Sequence, residues 1–217
     1  MKLLEPRTGV FVFESVTVSG AAAELADIFT VEIEENYWQT PGFVSARLYQ
    51  DFEGDTLVAR VHWADESDYR AHAKAVASDG KGFQDRLGEL EILDRATFVG
   101  TQVQGFAGPA EGEATGYTVV ATRRVRDRQA AHDVHAVLLG TGEWKHDIPG
   151  FVAATPYISL DGTEFLNNPQ WVDRDAFQVY MNHPSIPGGL TEANQHEIGP
   201  PRIVHCRIVS DIGAVEG

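Results

Sequence analysis

Pro41-Gly42-Phe43-Val44 returns 108 residues later as Pro149-Gly150-Phe151-Val152. The same spacing brings back four single residues downstream: Ala46 as Ala154, Tyr49 as Tyr157, Gly54 as Gly162 and Trp63 as Trp171. These identities fall within residues 41–63 without a gap, which is far more than chance produces. A repeat of this length is too long for a solenoid unit and matches a small domain. The chain is therefore predicted to contain two copies of one fold, and differences between the copies become clues to function.

Hydrophobic periodicity around the first copy predicts the element order βαββαβ. Residues 10–18 alternate like a strand, and the helix that follows has its apolar residues at helical spacing. Glu53-Gly54-Asp55 marks a hairpin between strands 43–50 and 57–63. A second helix is expected over 65–77 with Asp65 as its cap, and residues 90–103 return as a strand. This order is that of the ferredoxin-like unit.

The second copy is predicted to repeat this order with one departure. Its expected elements are strand 117–125, helix 127–144, a hairpin at Asp161-Gly162, a helix from Asp173 and strand 203–210. His183-Pro184 should end the last helix early, and the proline-rich segment beyond it predicts an irregular flap.

Domain boundaries follow from the composition between the copies. Residues 1–104 are predicted as the N-terminal domain, the glycine-rich segment 105–116 as a linker, and residues 117–217 as the C-terminal domain. A four-stranded antiparallel sheet with both helices on one face leaves its other face bare. We therefore expect an α+β fold in which two ferredoxin-like domains bury those bare faces together as an intramolecular α+β barrel with antiparallel sheets.

The balance of acidic and basic residues argues against two classes of binding partner. Only 17 Lys and Arg residues stand against 32 Asp and Glu residues, a net charge of −15, which disfavours nucleic acid and an anionic membrane surface. The same charge favours a monomer or a weak homodimer. The N-terminal residues do not have the pattern of a signal peptide, and no apolar run approaches a membrane span, so a cytoplasmic protein is expected.

Metal and thiol chemistry are not expected either. Cys206 is the single cysteine, so the chain has no internal disulfide and no cysteine-based zinc site. Its apolar surroundings, residues 203–209, predict a buried and inert thiol. His132 and His135 share a helix face, but no third ligand accompanies them, and no metal site is predicted.

Three features stand together in this chain: the repeated Pro-Gly-Phe-Val, the tryptophan that ends the third strand, and Asp65-Glu66-Ser67-Asp68-Tyr69-Arg70-Ala71-His72 at the start of the next helix. In these features the chain resembles the antibiotic biosynthesis monooxygenase family of the dimeric α+β barrel superfamily. The resemblance covers both halves of the chain as a tandem fusion, whereas family members usually pair two identical chains. Family oxygenases that convert anthrones to quinones use no flavin, haem or metal. The resemblance therefore implies no cofactor, with a small aromatic substrate and O2 as partners.

In those oxygenases the third strand carries an asparagine four residues before the tryptophan, and both side chains line the substrate cavity. The second copy matches this pattern with Asn167 and Trp171, whereas the first has Ala59 before Trp63. A spacing of four places two strand residues on one face. The resemblance therefore points to the C-terminal copy as the reactive site.

The implied chemistry demands little of the protein, because the benzylic C–H of an anthrone is acidic and its anion reacts with O2 directly. Asn167 is expected to donate an amide N–H to the developing oxyanion. Trp171 is expected to stack on the substrate and donate its indole N–H. The catalytic residues are thus Asn167 and Trp171, and the expected substrate-binding residues are Trp63, Tyr69, Phe177 and His183. The general base stays open among a substrate phenolate, His183, His196 and water.

The two residues after Asn167 are predicted to have structural roles in the strand. Asn168 faces the other side of the sheet, which indicates a structural role. Pro169 cannot donate a hydrogen bond to a neighbouring strand, so an edge position or a bulge is expected there.

Three other functions remain open at this stage. A polyketide cyclase or isomerase on the same barrel would form its product without O2. Haem-binding or haem-degrading members of the superfamily carry an iron-ligating histidine ten residues after the tryptophan, where this chain has Ala73 and Met181. A non-catalytic binding module is the third alternative, in which Asn167 is incidental.

Overall fold

The computed structural model describes residues 2–20, 22–79, 87–88, 90–140 and 143–213. These residues form two compact units. The N-terminal unit contains residues 8–99 together with 208–213, and the C-terminal unit contains residues 2–7 together with 100–207. Each end of the chain therefore belongs to the unit built mainly from the other half of the sequence.

The secondary structure follows the predicted order in both copies, with short additions. The strands are β1 (Lys2–Leu4), β2 (Val10–Val18), β3 (Phe43–Asp51), β4 (Thr56–Trp63), β5 (Ile92–Gln102), β6 (Gly105–Ala107), β7 (Tyr117–Arg124), β8 (Phe151–Ser159), β9 (Glu164–Trp171) and β10 (Arg202–Gly213). The α-helices are α1 (Ala22–Glu32), α2 (Glu66–Asp79), α3 (Arg128–Gly140), α4 (Arg174–Met181) and α5 (Ile186–Asn194). A π-helical turn (Ile33–Tyr37) extends α1, and a 3₁₀ turn (Glu143–Asp147) precedes β8.

Each unit has the antiparallel strand order of a ferredoxin-like fold. In the N-terminal unit the order is β5–β2–β4–β3, with the last part of β10 beside β3. In the C-terminal unit it is β10–β7–β9–β8, and β6 and the last residues of β5 pair with the other edge of β8. The α+β class with two ferredoxin-like units is confirmed.

The segment 105–116 differs from the predicted linker. Residues 105–107 form β6, which pairs with β1 on one side and β8 on the other. Phe106, Ala107 and Ala110 are buried, because the segment packs into the C-terminal unit. The compact units consequently do not divide where the sequence predicted boundaries at 104 and 117.

The repeated glycines are needed for their backbone conformation and for close packing. Gly42 and Gly150 have φ values of +81° and +76°, a region that residues with a Cβ rarely adopt. A Cβ on Gly42 would lie 2.1 Å from Asp68 Oδ2, and one on Gly150 would lie 2.6 Å from Ala176 Cβ. The glycine therefore lets the chain turn directly beneath the helix that follows the third strand.

The repeated phenylalanine and tryptophan form one cross-strand pair in each unit. Phe43 pairs with Trp63 and Phe151 with Trp171, and in both units a register irregularity follows the phenylalanine. Both tryptophans are 1% exposed. The repeated residues are thus core residues that hold the fold.

Aspartate caps begin the helices where the sequence predicts them. Asp65 accepts the backbone N–H of Asp68 at 2.9 Å, and Asp127 and Asp173 do the same for Ala130 and Ala176. Cys206 is fully buried, as predicted. Among the residues that the structure describes, no helix has the length and apolar character to cross a membrane.

The flap after α4 was predicted to be irregular, but much of it is helical. Residues 186–194 form α5, with Pro187 in the first turn, where a missing N–H breaks no helical hydrogen bond. The flap is fastened by an ion pair at 2.6 Å between Arg123 and Glu197, whose side chains are 8% and 3% exposed. The backbone N–H of Ile198 also donates to Arg124 O at 2.9 Å.

Pro169 lies in an interior strand, so the expected edge position is wrong. Pairing between β7 and β9 runs through Thr118↔Gln170 and resumes at Ala121↔Asn167. In the interruption, the Asn168 amide donates to Val119 O at 2.9 Å and to Thr118 Oγ1 at 2.8 Å. Thr118 Oγ1 in turn donates to Pro169 O at 3.0 Å. Side-chain hydrogen bonds thus replace part of the ladder, and the structural role predicted for Asn168 is confirmed.

Candidate active site

A cavity of about 350 Å³ lies in the C-terminal unit between α3, the 143–147 turn and strands β8 and β9. That figure includes space open to solvent, so it is not the volume of a closed chamber. Most of its wall is apolar, with Phe106, Leu138, Leu139, Phe151 and Phe165 among the contributors. Its polar contributors are Gln104, His135, Lys145, Asn167 and Tyr180.

Asn167 reaches this cavity from the middle of β9. Its cross-strand neighbours are Ala121 on β7 and Pro156 on β8, whose small side chains leave space above the sheet. The Asn167 amide makes no hydrogen bond within the described part of the chain. Its N–H groups are therefore available to a ligand.

Lys145 is the ionisable group that the cavity buries most deeply, at 4% exposure. The 3₁₀ turn carries its ammonium to Leu138 O, to which Nζ donates at 2.9 Å. Nζ also lies 5.2 Å from the Phe106 ring centroid and 6.0 Å from that of Tyr180. Burial lowers the pKa of Lys145 to about 8, because an apolar wall disfavours the charged form. This amine can accept and return a proton near neutral pH.

Tyr180 forms the part of the wall contributed by α4. Burial raises the pKa of its hydroxyl to about 12, so the phenol keeps its proton and can donate. The ring packs against Trp171 and Trp144, each at a centroid distance of 5.2 Å.

Trp171 does not line the cavity, although the sequence placed it beside Asn167 on one face of the strand. It contacts the wall residue Tyr180 and meets Phe177 edge-on at 5.0 Å. Its indole Nε1 is buried without a hydrogen-bond partner among the described residues. Trp171 therefore supports the wall from within the core.

The other residues predicted to bind substrate are dispersed. Phe177 stacks on Tyr117 at 4.6 Å, outside the cavity wall. His183 stacks on Trp144 at 4.0 Å, and its Nδ1 accepts the N–H of Ser185. His196, one of the possible bases, lies 3.6 Å from Asp133 Oδ2, also away from the cavity.

Trp63 and Tyr69 line a separate cavity in the N-terminal unit, of about 430 Å³. Ala59 occupies the position there that Asn167 occupies in the C-terminal unit. Glu14 lies directly across from Ala59 on the neighbouring strand, as Ala121 lies across from Asn167. The polar side chain thus sits on a different strand in each copy.

Sequence reasoning missed Lys145 and Tyr180. The repeat could have indicated both residues, because the spacing of 108 aligns Lys145 with Tyr37 and Tyr180 with His72. All four residues line the cavity of their own unit. Among the residues described, no group of three or more His, Cys, Asp or Glu side chains is arranged to hold a metal ion.

Comparison with known proteins finds no matching protein-family model and no matching curated protein. Solved structures do match. An anthrone oxidase-like protein is 14% identical, with a TM-score of 0.80 over 99% of this chain and 97% of its own. A candidate monooxygenase from Lactobacillus acidophilus NCFM is 10% identical, with a TM-score of 0.60 over 95% of this chain and 97% of its own. A ferredoxin-fold protein from Listeria monocytogenes 4b F2365, described as related to antibiotic biosynthesis monooxygenases, is 11% identical, with a TM-score of 0.54 over 94% and 96%. The chain therefore has the α+β fold that these monooxygenase-like proteins share.

Proposed function

We propose that this protein is a cofactor-independent monooxygenase that oxidises an anthrone-like aromatic to a quinone with O2 in the cavity of the C-terminal unit. The observation that carries the proposal is that Asn167 and Lys145 line the same mostly apolar cavity. The fold shared with an anthrone oxidase-like protein and with monooxygenase-like proteins supports it. Cofactor independence rests on the resemblance of Asn167 and Trp171 to the family pattern.

The reaction begins with removal of a proton from the carbon opposite the anthrone carbonyl, which leaves an electron-rich anion. That anion transfers one electron to O2, and the resulting radical pair combines to a carbon-bound peroxide. The peroxide takes up a proton to give a hydroperoxide. The hydrogen that remains on the same carbon then leaves as a proton while the O–O bond breaks, and the hydroxide released takes up that proton and departs as water, which leaves the second carbonyl. One O2 is consumed, and one of its oxygen atoms leaves as water.

Lys145 supplies the proton relay in this scheme. Its neutral amine accepts the carbon-bound proton, and the ammonium so formed remains beside the anion and stabilises its charge. The same ammonium then returns a proton to the peroxide. Because the amine is buried among aromatic rings, its pKa lies close enough to neutrality for both steps.

Asn167 holds the oxyanion. Its amide N–H groups are unengaged in the described part of the chain, so they can donate to the anthrone oxygen as negative charge develops there. Tyr180, which keeps its proton, offers a second donor in the same wall. Trp171 enters the proposal as a positioning residue, because its ring packs against Tyr180.

The proposal is tested by O2 uptake with 1,8-dihydroxyanthrone, using protein stripped of metals and flavin. Asn167→Ala should lower the protein-dependent rate at least about a hundredfold, which is the smaller end of the loss seen when an oxyanion donor is removed. Asn182→Ala is the matched control, because it deletes an exposed amide at the end of α4. The rate should rise with pH through about 8 and become independent of pH there in Lys145→Met.

Several outcomes would contradict the proposal. O2 uptake no faster than the protein-free rate would do so, as would an unchanged rate in Asn167→Ala. Product formed equally well without O2 would instead identify the cyclase or isomerase alternative.

A further inference from the structure

Lys145 is a buried positive charge with no carboxylate partner in the described part of the chain. Its side chain is 4% exposed, and Nζ donates only to Leu138 O, at 2.9 Å. The ring centroids of Phe106, Trp144 and Tyr180 lie 5.2, 5.7 and 6.0 Å from Nζ. These rings favour the cation but carry no net charge. Because buried charges in proteins are normally paired, an anion is the partner that this ammonium still requires.

The cavity around this ammonium offers several hydrogen-bond donors and no acidic side chain. An ammonium has three N–H groups, of which Lys145 uses one. The Asn167 amide and the Tyr180 hydroxyl line the same cavity and make no hydrogen bond within the described residues. No Asp or Glu is among the described residues of the wall. The donors and the charge of this wall therefore suit a negative ligand.

The other titratable groups in the wall do not compete with this assignment. His135, on α3, has Nε2 at 2.7 Å from Gln104 O, and a carbonyl only accepts, so Nε2 carries a proton. Burial raises the pKa of Tyr180, on α4, to about 12, so its hydroxyl stays neutral and donates. The described residues that β6, β8 and β9 contribute to the wall are not titratable. Lys145 is thus the group whose charge an anion in this cavity meets.

The free space beside these groups sets the size of the ligand. The centre of a water-sized sphere can occupy about 20 Å³ of the cavity. One water molecule needs roughly 10–15 Å³ on the same measure. Chloride and bromide are only slightly larger than water, whereas perchlorate and sulfate are much larger. The cavity therefore accommodates one halide ion without movement of its wall.

We infer that the C-terminal cavity binds one halide-sized monovalent anion between the Lys145 ammonium, the Asn167 amide and the Tyr180 hydroxyl. The anion supplies the negative charge that the described wall does not provide. It also stabilises the charged form of the amine, so chloride raises the pKa of Lys145. A protonated Lys145 cannot accept a proton, and chloride therefore inhibits the oxygenase near neutral pH. This last consequence rests on the proposed function, whereas binding of the anion does not.

Chloride binding by the whole protein, measured without substrate, tests the site. Sodium chloride replaces sodium gluconate at constant ionic strength, and broadening of the chlorine NMR resonance reports binding near neutral pH. Lys145→Met should weaken chloride binding at least about tenfold, because it removes the buried charge. Asn167→Ala should weaken it about fivefold through the loss of one donor. Lys74→Met is the matched control, because it removes an exposed lysine from α2. Bromide should displace the bound chloride, and perchlorate should not.

The pKa of Lys145 gives a second readout, which an ion bound at the surface would not change. Carbon NMR of the lysine Cε, assigned with Lys145→Met, follows the titration. Chloride should raise this pKa above its value of about 8 in gluconate, and perchlorate should leave it unchanged. Equal chloride binding by the parent protein and Lys145→Met would overturn the inference, as would a Lys145 pKa that is the same in chloride and gluconate. Neither measurement uses O2 uptake, so a failure of the proposed oxygenase is seen separately.

Discussion

The two cavities occupy the same place in two copies of one fold, yet different side chains line them. Lys145 stands in one where Tyr37 stands in the other, and Asn167 stands where the other has Ala59. The N-terminal wall has two glutamates instead, Glu14 and Glu32.

The contrast separates residues that hold the fold from residues that define a site. The residues repeated between the copies are mostly buried: Tyr49 and Tyr157 are 0% exposed, and Trp63 and Trp171 are 1% exposed. Aligned residues that differ, such as Lys145 and Tyr37, line the cavities together with repeated residues such as Phe151 and Trp63. A duplicated fold thus keeps its core while its two cavities change independently.

The largest expected effect tests whether the two cores are equivalent. Trp63→Ala and Trp171→Ala should each lower the free energy of unfolding by about 3–5 kcal/mol, because each empties a fully buried ring position. Urea unfolding followed by circular dichroism measures the loss. A cost at one tryptophan that is less than half the cost at the other would show that the repeated residues do not hold the two units equally.

The next effect distinguishes Lys145 from Tyr37. The pKa of Lys145 falls from 10.5 in the unfolded chain to about 8 in the folded one, so between these values the unfolded chain binds more protons. Stability should therefore rise across pH 8 to 10.5, by roughly 3 kcal/mol relative to Lys145→Met, which lacks this titration. Below pH 8 the variant should be the more stable protein.

Tyr37 should show the opposite sign at the aligned position. Burial raises its pKa above 10.0, so above that pH the folded chain keeps a proton that the unfolded chain releases. Stability should consequently fall above pH 10 in the parent protein and fall less in Tyr37→Phe. Parallel urea titrations of both variants would refute the contrast if their pH dependences coincided.

A smaller effect concerns strand regularity. In the N-terminal unit β2 and β4 pair without a break from Val10↔Trp63 to Thr17↔Thr56, whereas Asn168 bridges an interruption in the C-terminal unit. Asn168→Ala should cost about 2 kcal/mol, because it leaves Val119 O without that donor. Thr118→Val in the same background should add less than it costs alone, since the two side chains share a hydrogen bond. Strictly additive costs would contradict the shared network.

The smallest effect is expected from Ala59→Asn, which gives the N-terminal cavity the amide of the other copy. The cavity has room for it, so stability should change by less than about 1 kcal/mol. O2 uptake attributable to the N-terminal unit should not appear, because Tyr37 cannot replace the amine of Lys145. Uptake that persists in Ala59→Asn combined with Asn167→Ala would show that the asparagine alone suffices.

The fold could be predicted because its signals are local or repeated. Apolar residues that alternate along the strands, aspartate caps and the turns at Gly42 and Gly150 can each be recognised from a short stretch of sequence. Helix α5 was not predicted, because a proline such as Pro187 usually ends a helix. Pro187 lies in the first turn of α5, where a proline is compatible with a helix. β1 pairs with β6, which lies far away in the sequence, so no local sequence pattern predicts this pairing.

The candidate site was predictable only in part. The family resemblance implied that Asn167 lines the cavity, and strand spacing placed Trp171 on the same face. Spacing could not show that Trp171 lies deeper, because alternation gives the face and not the depth. Lys145 was missed because its burial depends on the 3₁₀ turn and on rings from β6 and α4. A lysine in a short turn otherwise predicts an exposed side chain.

Each unit includes a segment from the opposite end of the chain, and this arrangement determines when each unit can be completed during synthesis. Residues 8–99 of the N-terminal unit emerge from the ribosome before residues 100–207, yet its strand at residues 208–213 emerges after them and is joined by an ion pair at 2.5 Å between Arg47 and Asp211. Until then one edge of β3 has no strand beside it, a state that invites aggregation. A gene split near residue 104 would therefore produce two halves that each lack a strand, and joint expression would be needed to recover either unit.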